Sequence, residues 1–195
     1  MIDKKRLIGF HGTNFFLARK IVTDKFTAQH NPKHWLGQGI YLFEEEYLAK
    51  WWAEGKFKYQ KSAIIKVTIE ALESQILNLD TQKGMTFFRQ KIKELLISNN
   101  NLKKSLSFSR KTPYKNICLL LDLIKKELGI KVIIGTFVKS NPTYAEDKEY
   151  YFFQKRHSLP STLFYANYDE TQICLTDESV VINKEILSQN EQKWQ

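Results

Sequence analysis

Two short polar motifs near the start of the chain carry side chains suited to holding a flat, polar ligand. The first is His-Gly-Thr at residues 11–13, and the second is Gly-Gln-Gly-Ile-Tyr at residues 37–41. Histidine exchanges hydrogen bonds through either ring nitrogen, and tyrosine offers a ring for stacking. Glycine has no Cβ, so the backbone can approach a ligand closely at these places. The two motifs therefore predict a nucleotide clamp in which His11 and Tyr41 hold the ligand from two sides.

The segments around the motifs predict the elements that position them. An apolar strand at residues 7–10 ends at the first motif, and Asn14 can cap the amphipathic helix that follows. A second strand, at residues 40–43, leads into another helix on which Trp51 and Trp52 are adjacent. Neighbouring side chains on a helix point in different directions, so we expect one of these two rings in the core and the other at the pocket.

The remaining chain contains strands and helices without an internal repeat or a linker, which predicts a single α+β domain over residues 1–195. Alternating β-branched residues predict strands at 62–70 and 131–138, the second bent at Gly135. The other predicted elements are an extended piece at 76–80, two helices in an insertion at 83–129, strands at 162–168 and 171–176, and a terminal helix at 183–187.

Composition excludes several classes of protein. The chain has 195 residues, of which 43% are hydrophobic, so it can bury a core. It contains no apolar run near the roughly 20 residues of a membrane span and no secretory signal, which predicts a cytoplasmic protein. Cys118 and Cys174 are expected to be buried free thiols. His30 and His34 have a metal-like spacing, but Pro32 separates them and no third ligand is near, so we expect no metal site.

Positive charge is concentrated in one segment. Residues 84–126 contain ten Lys or Arg against two acids, which accounts for +8 of the net charge of +9. Aromatic residues are interspersed with these cations, which is typical of a surface that contacts a phosphate backbone. The alternative is a solvated helix face whose other side covers a sheet. On the first interpretation, the predicted nucleic-acid-binding residues are Lys103, Lys104, Arg110 and Lys111.

The order of the two motifs, with one helix between them and an alanine-containing aromatic helix after them, resembles a known family. It is similar to the NAD-binding half of ADP-ribosyltransferases of the diphtheria-toxin and poly(ADP-ribose)-polymerase type, especially their small bacterial members. The resemblance implies a split β-sandwich made of two facing antiparallel sheets. It also implies that His11 bonds the ribose, Gly12 holds the carboxamide through its backbone, and Tyr41 stacks on nicotinamide. The NAD-binding residues implied are His11, Gly12, Thr13, Gly39, Tyr41 and Trp52.

The family places a catalytic glutamate at the start of a late strand, and the matching position here is Gln172. NAD cleavage builds positive charge on the ribose, which a carboxylate stabilises and a glutamine cannot neutralise. Three interpretations stay open. Glu170 supplies the carboxylate from the same strand face; Gln172 positions the ribose and the target is itself a good nucleophile; or the site binds NAD without chemistry. Glu170 could equally be a solvent-facing loop acid.

The sequence thus predicts mono-ADP-ribosyl transfer from NAD to a macromolecular target. The basic segment favours RNA or DNA over a protein side chain. The resemblance to bacterial toxins implies a role in a toxin–antitoxin or antiphage system, with an acidic antitoxin as a partner. The alternatives are an enzyme that moves a 2′-phosphate from RNA to NAD, and a catalytically inactive NAD- or nucleic-acid-binding regulatory protein.

Overall fold

The computed structural model describes residues 3–27, 34–99, 102, 113–139 and 168–189. These residues form a mixed α+β fold with one open, mostly antiparallel sheet of seven strands. The strands are β1 (Lys4–Asn14), β2 (Ile40–Phe43), β3 (Ser62–Leu72), β4 (Ile76–Asn78), β5 (Val132–Lys139), β6 (Tyr168–Leu175) and β7 (Val181–Gln189). The helices are α1 (Phe15–Thr23), α2 (Glu46–Lys56), α3 (Gln82–Ser98) and α4 (Pro113–Leu128).

The sheet consists of two ladders that meet at one pair of residues. The strand order is β4-β5-β6-β2-β1-β3-β7, with only β4 and β5 parallel. β1 pairs with β3 along its whole length, and β2 pairs with β6 along its whole length. Between β1 and β2, however, the register contains only Phe10 opposite Phe43. The two separate sheets predicted from the sequence are therefore one continuous sheet, with a narrow junction between β2 and β1.

Helices cover both faces of this sheet. Ala18 of α1 packs into a core cluster with Ile65 of β3 and Ile173 of β6. On the opposite face, α3 and α4 contribute Phe88 and Leu121 to a second cluster. α2 covers the β1–β3 region of that same face through a third, smaller cluster. The described parts of the predicted insertion thus form a helical layer on the sheet. This is the second interpretation of the basic segment, in which a helix face covers a sheet with its other side.

Helix α1 begins as the sequence predicts. The Asn14 side chain accepts a hydrogen bond from the backbone N–H of Leu17 at 2.9 Å, which satisfies one free donor of the first turn. None of the helices in the described ranges combines the length and the apolar character that crossing a membrane requires.

The C-terminal segment differs from its prediction. Residues 183–187 belong to β7, not to a helix. Pairing with β3 determines the conformation of this short segment, whose own mixture of apolar and polar residues does not. Val181 and Ile186 pack on the first core cluster as a result. The strand predicted at 171–176 extends back to residue 168, whereas residues 162–167 of the other predicted strand lie outside the described residues.

Gly12 is required by the packing of α2 on β1. A Cβ placed on Gly12 would come within 2.0 Å of the Ala49 carbonyl oxygen and 3.2 Å of the Ala53 Cβ. The sequence suggested that the glycine leaves room for a ligand, but in the structure its Cα faces helix α2. The close approach of helix and strand therefore depends on three small residues.

Gly12→Ala should destabilise the fold by about 1–3 kcal/mol, because the added methyl group must push α2 away from β1. Gly55→Ala is the matched control, since a Cβ there meets nothing within 4 Å. It should leave stability unchanged or raise it by up to about 1 kcal/mol, as alanine favours the helix. Chemical denaturation of both variants measures the difference. Equal stability of the two variants would contradict the packing described.

Candidate functional site

His11 lies at the point where β1 and β2 separate. Its Nδ1 is 2.9 Å from the carbonyl oxygen of Tyr41, and its ring meets the Phe26 ring edge-on at 5.3 Å. A carbonyl only accepts, so Nδ1 carries the proton and Nε2 of the neutral ring is an acceptor. Burial lowers the pKa of His11; the bond to Tyr41 partly opposes this, and the charge of Lys56 adds a smaller lowering. The site therefore presents a neutral imidazole at pH 7.

Tyr41 is fixed through its hydroxyl group. The hydroxyl donates to the Gly37 carbonyl and accepts from the Leu36 N–H, both at 2.8 Å. Burial raises the pKa of the Tyr41 phenol well above its usual value, so the hydroxyl stays protonated. The His34 ring lies against Tyr41 with the two centroids 4.4 Å apart. His34, at which the sequence predicts no metal site, is thus a neighbour of Tyr41.

His11 and Tyr41 leave the sheet on opposite faces. His11 is paired with Ile65, whose side chain belongs to the first core cluster, whereas Tyr41 packs on the second cluster. A ligand that contacts both must therefore cross the sheet plane. The described strands allow this at one place, because β1 continues past Phe10 with no register partner in β2. The backbone from residue 11 onward forms an open strand edge there, and such an edge offers free hydrogen-bonding groups.

Strand β6 brings Glu170 and Gln172 to the same face as Tyr41. Gln172 is paired with Phe43, and Cys174 with Tyr41, so alternate residues of β6 follow the α2 face of the sheet. Gln172 lies two strands from β1, a distance of roughly 10 Å. Glu170 is buried, with 6% of its surface exposed. The suggestion of a solvent-facing loop acid is therefore wrong.

Trp52 lies at the rim of this face. Its ring centroid is 6.3 Å from that of Phe43. Trp51 and Trp52 are 54% and 45% exposed, so the expectation that one of them is a core residue is wrong. The helix buries its small residues instead, which brings its backbone close to the sheet and leaves both large rings at the surface.

The remaining glycine and threonine of the two motifs serve the scaffold. A Cβ on Gly39 would lie 2.3 Å from the Leu175 carbonyl oxygen, so this glycine permits close contact with β6. Thr13 is buried and pairs with Ala63 in the β1–β3 ladder.

Lys125 of α4 anchors the second motif. Its Nζ donates to the Gln38 carbonyl at 2.6 Å and pairs with the Asp122 carboxylate at 3.1 Å. Asp122 also accepts from the Gln38 N–H at 2.7 Å. Gly37, with φ of +81°, allows this fit, since a Cβ there would lie 2.4 Å from the Asp122 carboxylate. The sequence missed this pair because Lys125 was counted among the surface cations.

A second, partly buried ion pair supports the segment next to His11. Glu178 accepts from the Phe26 N–H at 3.0 Å, and Lys184 bonds both Glu178 and the Asp24 carbonyl. These contacts hold Phe26 against the His11 ring. The charged groups come from the C-terminal part of the chain, so the orientation of His11 depends on residues far from it in sequence.

The remaining expectations from the sequence concern the cysteines, metal ions and nucleic acid. Burial raises the pKa of Cys174 to about 11, so its thiol is neutral and not a ready nucleophile. In the ranges that the structure describes, no three His, Cys, Asp or Glu side chains are grouped to hold a metal ion. The predicted nucleic-acid-binding residues Lys103, Lys104, Arg110 and Lys111 lie outside the described residues.

Comparison with known proteins identifies one partial relative. The chain is 38% identical over 85 residues to Uncharacterized protein MJ0359 of Methanocaldococcus jannaschii. The alignment spans 40% of this chain and 40% of that protein. No protein-family profile matches the chain. No solved structure matches it either.

The neutral state of His11 can be measured directly. We expect its imidazole to titrate with a midpoint below 6.5, because burial disfavours the charged ring. In that range the unfolded chain binds more protons than the folded one, so His11 contributes stability near pH 7 that is lost as the pH falls below about 6.5. The measurement is a proton NMR titration, with the signal assigned by its absence in His11→Asn. A midpoint at or above 6.5 would exclude the burial described.

Lys125→Met should lower the free energy of unfolding by about 3–5 kcal/mol, since it leaves the Asp122 carboxylate without its cation and frees the 37–39 loop. Lys126→Met is the matched control because Lys126 is the exposed neighbour on the same helix. The control should change stability by less than about 0.5 kcal/mol. Denaturant titration compares the two; similar values would mean that Lys125 does not anchor the loop.

Proposed function

We propose that this chain is a mono-ADP-ribosyltransferase that uses NAD as its donor, with one continuous sheet, divided at the β1–β2 junction, as its version of that family's split sandwich. One observation carries the proposal. β1 separates from β2 directly after Phe10, and this leaves His11 and Gly12 on an open strand edge beside Tyr41. A buried acid, Glu170, and an amide, Gln172, lie on β6, the strand that pairs with β2.

The geometry suggests a role for each group. His11 Nε2, an acceptor in the neutral ring, would accept a hydrogen bond from a ribose hydroxyl. The open backbone edge at Gly12 would bond the carboxamide of nicotinamide. Tyr41 would stack on the nicotinamide ring through the side that His34 does not cover, and Trp52 would close the rim. Two faces of the sheet would thus serve two parts of one extended ligand.

The reaction would break the bond between the ribose C1′ and the nicotinamide nitrogen, with the bonding electrons moving into the nicotinamide ring. The sugar gains positive charge in the transition state. The acceptor then forms a bond to C1′ and gives up its proton. A carboxylate in a site shielded from water stabilises such charge far better than one in water. The burial of Glu170 therefore favours this residue as the source of the charge, with Gln172 positioning the ribose.

The acceptor is proposed to be a nucleic acid, on the strength of the basic residues between positions 84 and 126. An acidic antitoxin that covers these cations would fit the same proposal. One specific feature favours a second candidate, a catalytically inactive protein that binds NAD or nucleic acid. Gln172 occupies the position where the resembling family has a glutamate.

Release of nicotinamide from NAD by the purified protein tests the proposal, with and without RNA and single-stranded DNA. Glu170→Gln should reduce release by about 100-fold or more, because it removes the transition-state charge but keeps the shape. Gln172→Ala should reduce it less. Glu185→Gln, at an exposed acid of β7, is the matched control and should retain full activity.

The outcomes separate the interpretations. If Gln172→Ala loses nicotinamide release while Glu170→Gln keeps it in full, Gln172 positions the ribose. The acceptor then gives up its proton without help from Glu170. NAD binding by calorimetry without release under any condition would establish the inactive binder. Absence of NAD binding would overturn the proposal. Thermal unfolding of each variant confirms that the fold is retained.

A further inference from the structure

A surface at the end of α2 combines exposed rings with lysines. We call it the α2 surface and define it by Trp52, Lys56, Phe57, Lys58, Tyr59 and Lys61. It covers the last turn of α2 and the turn that leads into β3. Aromatic residues and lysines alternate along this short stretch, outside the segment that carries most of the net charge.

Two lysines of the α2 surface, Lys56 and Lys61, are held over aromatic rings. The Lys56 Nζ lies 5.6 Å from the centroid of the Trp52 ring and 5.6 Å from that of Phe57. The Lys61 Nζ lies 5.2 Å from the centroid of Phe15 at the start of α1. These contacts keep ammonium groups and rings side by side. The surface therefore offers stacking and positive charge at the same place.

Packing of the core does not explain why Tyr59 is where it is, because its ring is almost fully exposed. The ring is 89% exposed, more than any other large hydrophobic or aromatic side chain in the described residues. Phe57, its neighbour on the other side of Lys58, is half-buried. An isolated exposed ring is ordinary, but Lys58 directly precedes this one and Lys61 follows it by two positions. Exposed rings with lysines close to them in the chain are typical of surfaces that bind unstacked bases and their phosphates.

The α2 surface is continuous with the candidate site. Trp52 contacts Phe43 in the site, and Lys56 is close enough to lower the pKa of His11. The acids of residues 44–46 are at the opposite end of α2, and Glu54, which lies between Trp52 and Lys56 in the sequence, is 4.0 Å from Lys50. A polyanion can thus approach the site along the lysines without meeting the acidic end of the helix.

We propose that the α2 surface binds single-stranded nucleic acid, with bases stacked on Tyr59 and Trp52 and phosphates at Lys56 and Lys58. Bases in a duplex are already stacked on one another, so the exposed rings select a single strand. An acidic peptide would use the lysines but leave the rings without a role. That the bound strand is the acceptor rests on the proposed transferase activity, whereas the binding itself does not.

The test is fluorescence anisotropy of labelled single-stranded oligonucleotides, one RNA and one DNA, with the full chain and no NAD. Tyr59→Ala should weaken binding by about fivefold to a hundredfold, the range observed for loss of one stacked base. Lys56→Glu with Lys58→Glu should weaken it as well. The pair should also reduce the slope of log affinity against log salt by about 1.4, as expected for two phosphate contacts.

Matched controls distinguish local contacts from overall charge. Arg19→Glu with Lys20→Glu makes the same change of charge at two exposed residues of α1, and Tyr47→Ala removes an exposed ring at the start of α2. Both should retain affinity. Equal loss in the α2-surface and α1 pairs would overturn the proposal, as would unchanged binding in Tyr59→Ala.

Two further measurements complete the test. A labelled duplex and polyglutamate should bind at least tenfold more weakly than the single strand; equal binding of either would overturn the proposal. Nicotinamide release is measured separately on the same proteins. Oligonucleotide binding without nicotinamide release would refute the proposed transferase activity but support strand binding by the α2 surface. Nicotinamide release without oligonucleotide binding would refute only the proposal for the α2 surface.

Discussion

The junction between β1 and β2 is the constraint on which the candidate site depends. Each strand is held firmly on its far side, β1 by β3 and β2 by β6, but the two strands share only the pair Phe10 and Phe43. The two strands are antiparallel and Phe43 ends β2, so β2 runs beside β1 after Phe10 without pairing with it in the ladder. The hydrogen bond from His11 to the Tyr41 carbonyl spans the gap where the ladder ends. In the described strands, the edge of β1 after Phe10 is therefore not covered by a ladder with β2.

Two lysines, one buried and one partly buried, support the two sides of this junction from a distance. Lys125 fixes the loop before β2 through the Gln38 carbonyl, and Lys184 fixes the segment after α1 through backbone carbonyls and Glu178. An ammonium group with three donors can bind several carbonyls at once, which suits it to holding irregular backbone. Both segments lead to rings that touch the site, namely Tyr41 on one side and Phe26 on the other. The site is therefore positioned by charged residues that do not belong to its motifs.

The sequence predicted the elements whose signals are local and could not predict those that depend on distant partners. The strand at 62–70 and the cap at Asn14 follow from β-branched alternation and from one side chain, and both are confirmed. β7 was predicted as a helix because its strand character comes from pairing with β3. Lys125 was counted as a surface charge because its partner, the Gln38 carbonyl, is 87 residues away. The burial of Glu170 likewise depends on neighbouring strands and on no property of its own segment.

The glycines show how one residue type supports two different arguments. From the sequence, Gly12 and Gly39 indicated space for a ligand, whereas in the structure the space over each is taken by a neighbouring backbone, of α2 and of β6. Their presence is therefore explained by packing, and it adds no separate support for NAD. What supports a ligand at Gly12 is the edge of its strand, not its missing side chain. The case for the site consequently depends on the open edge, the neutral acceptor nitrogen of His11 and the position of the buried Glu170 on β6.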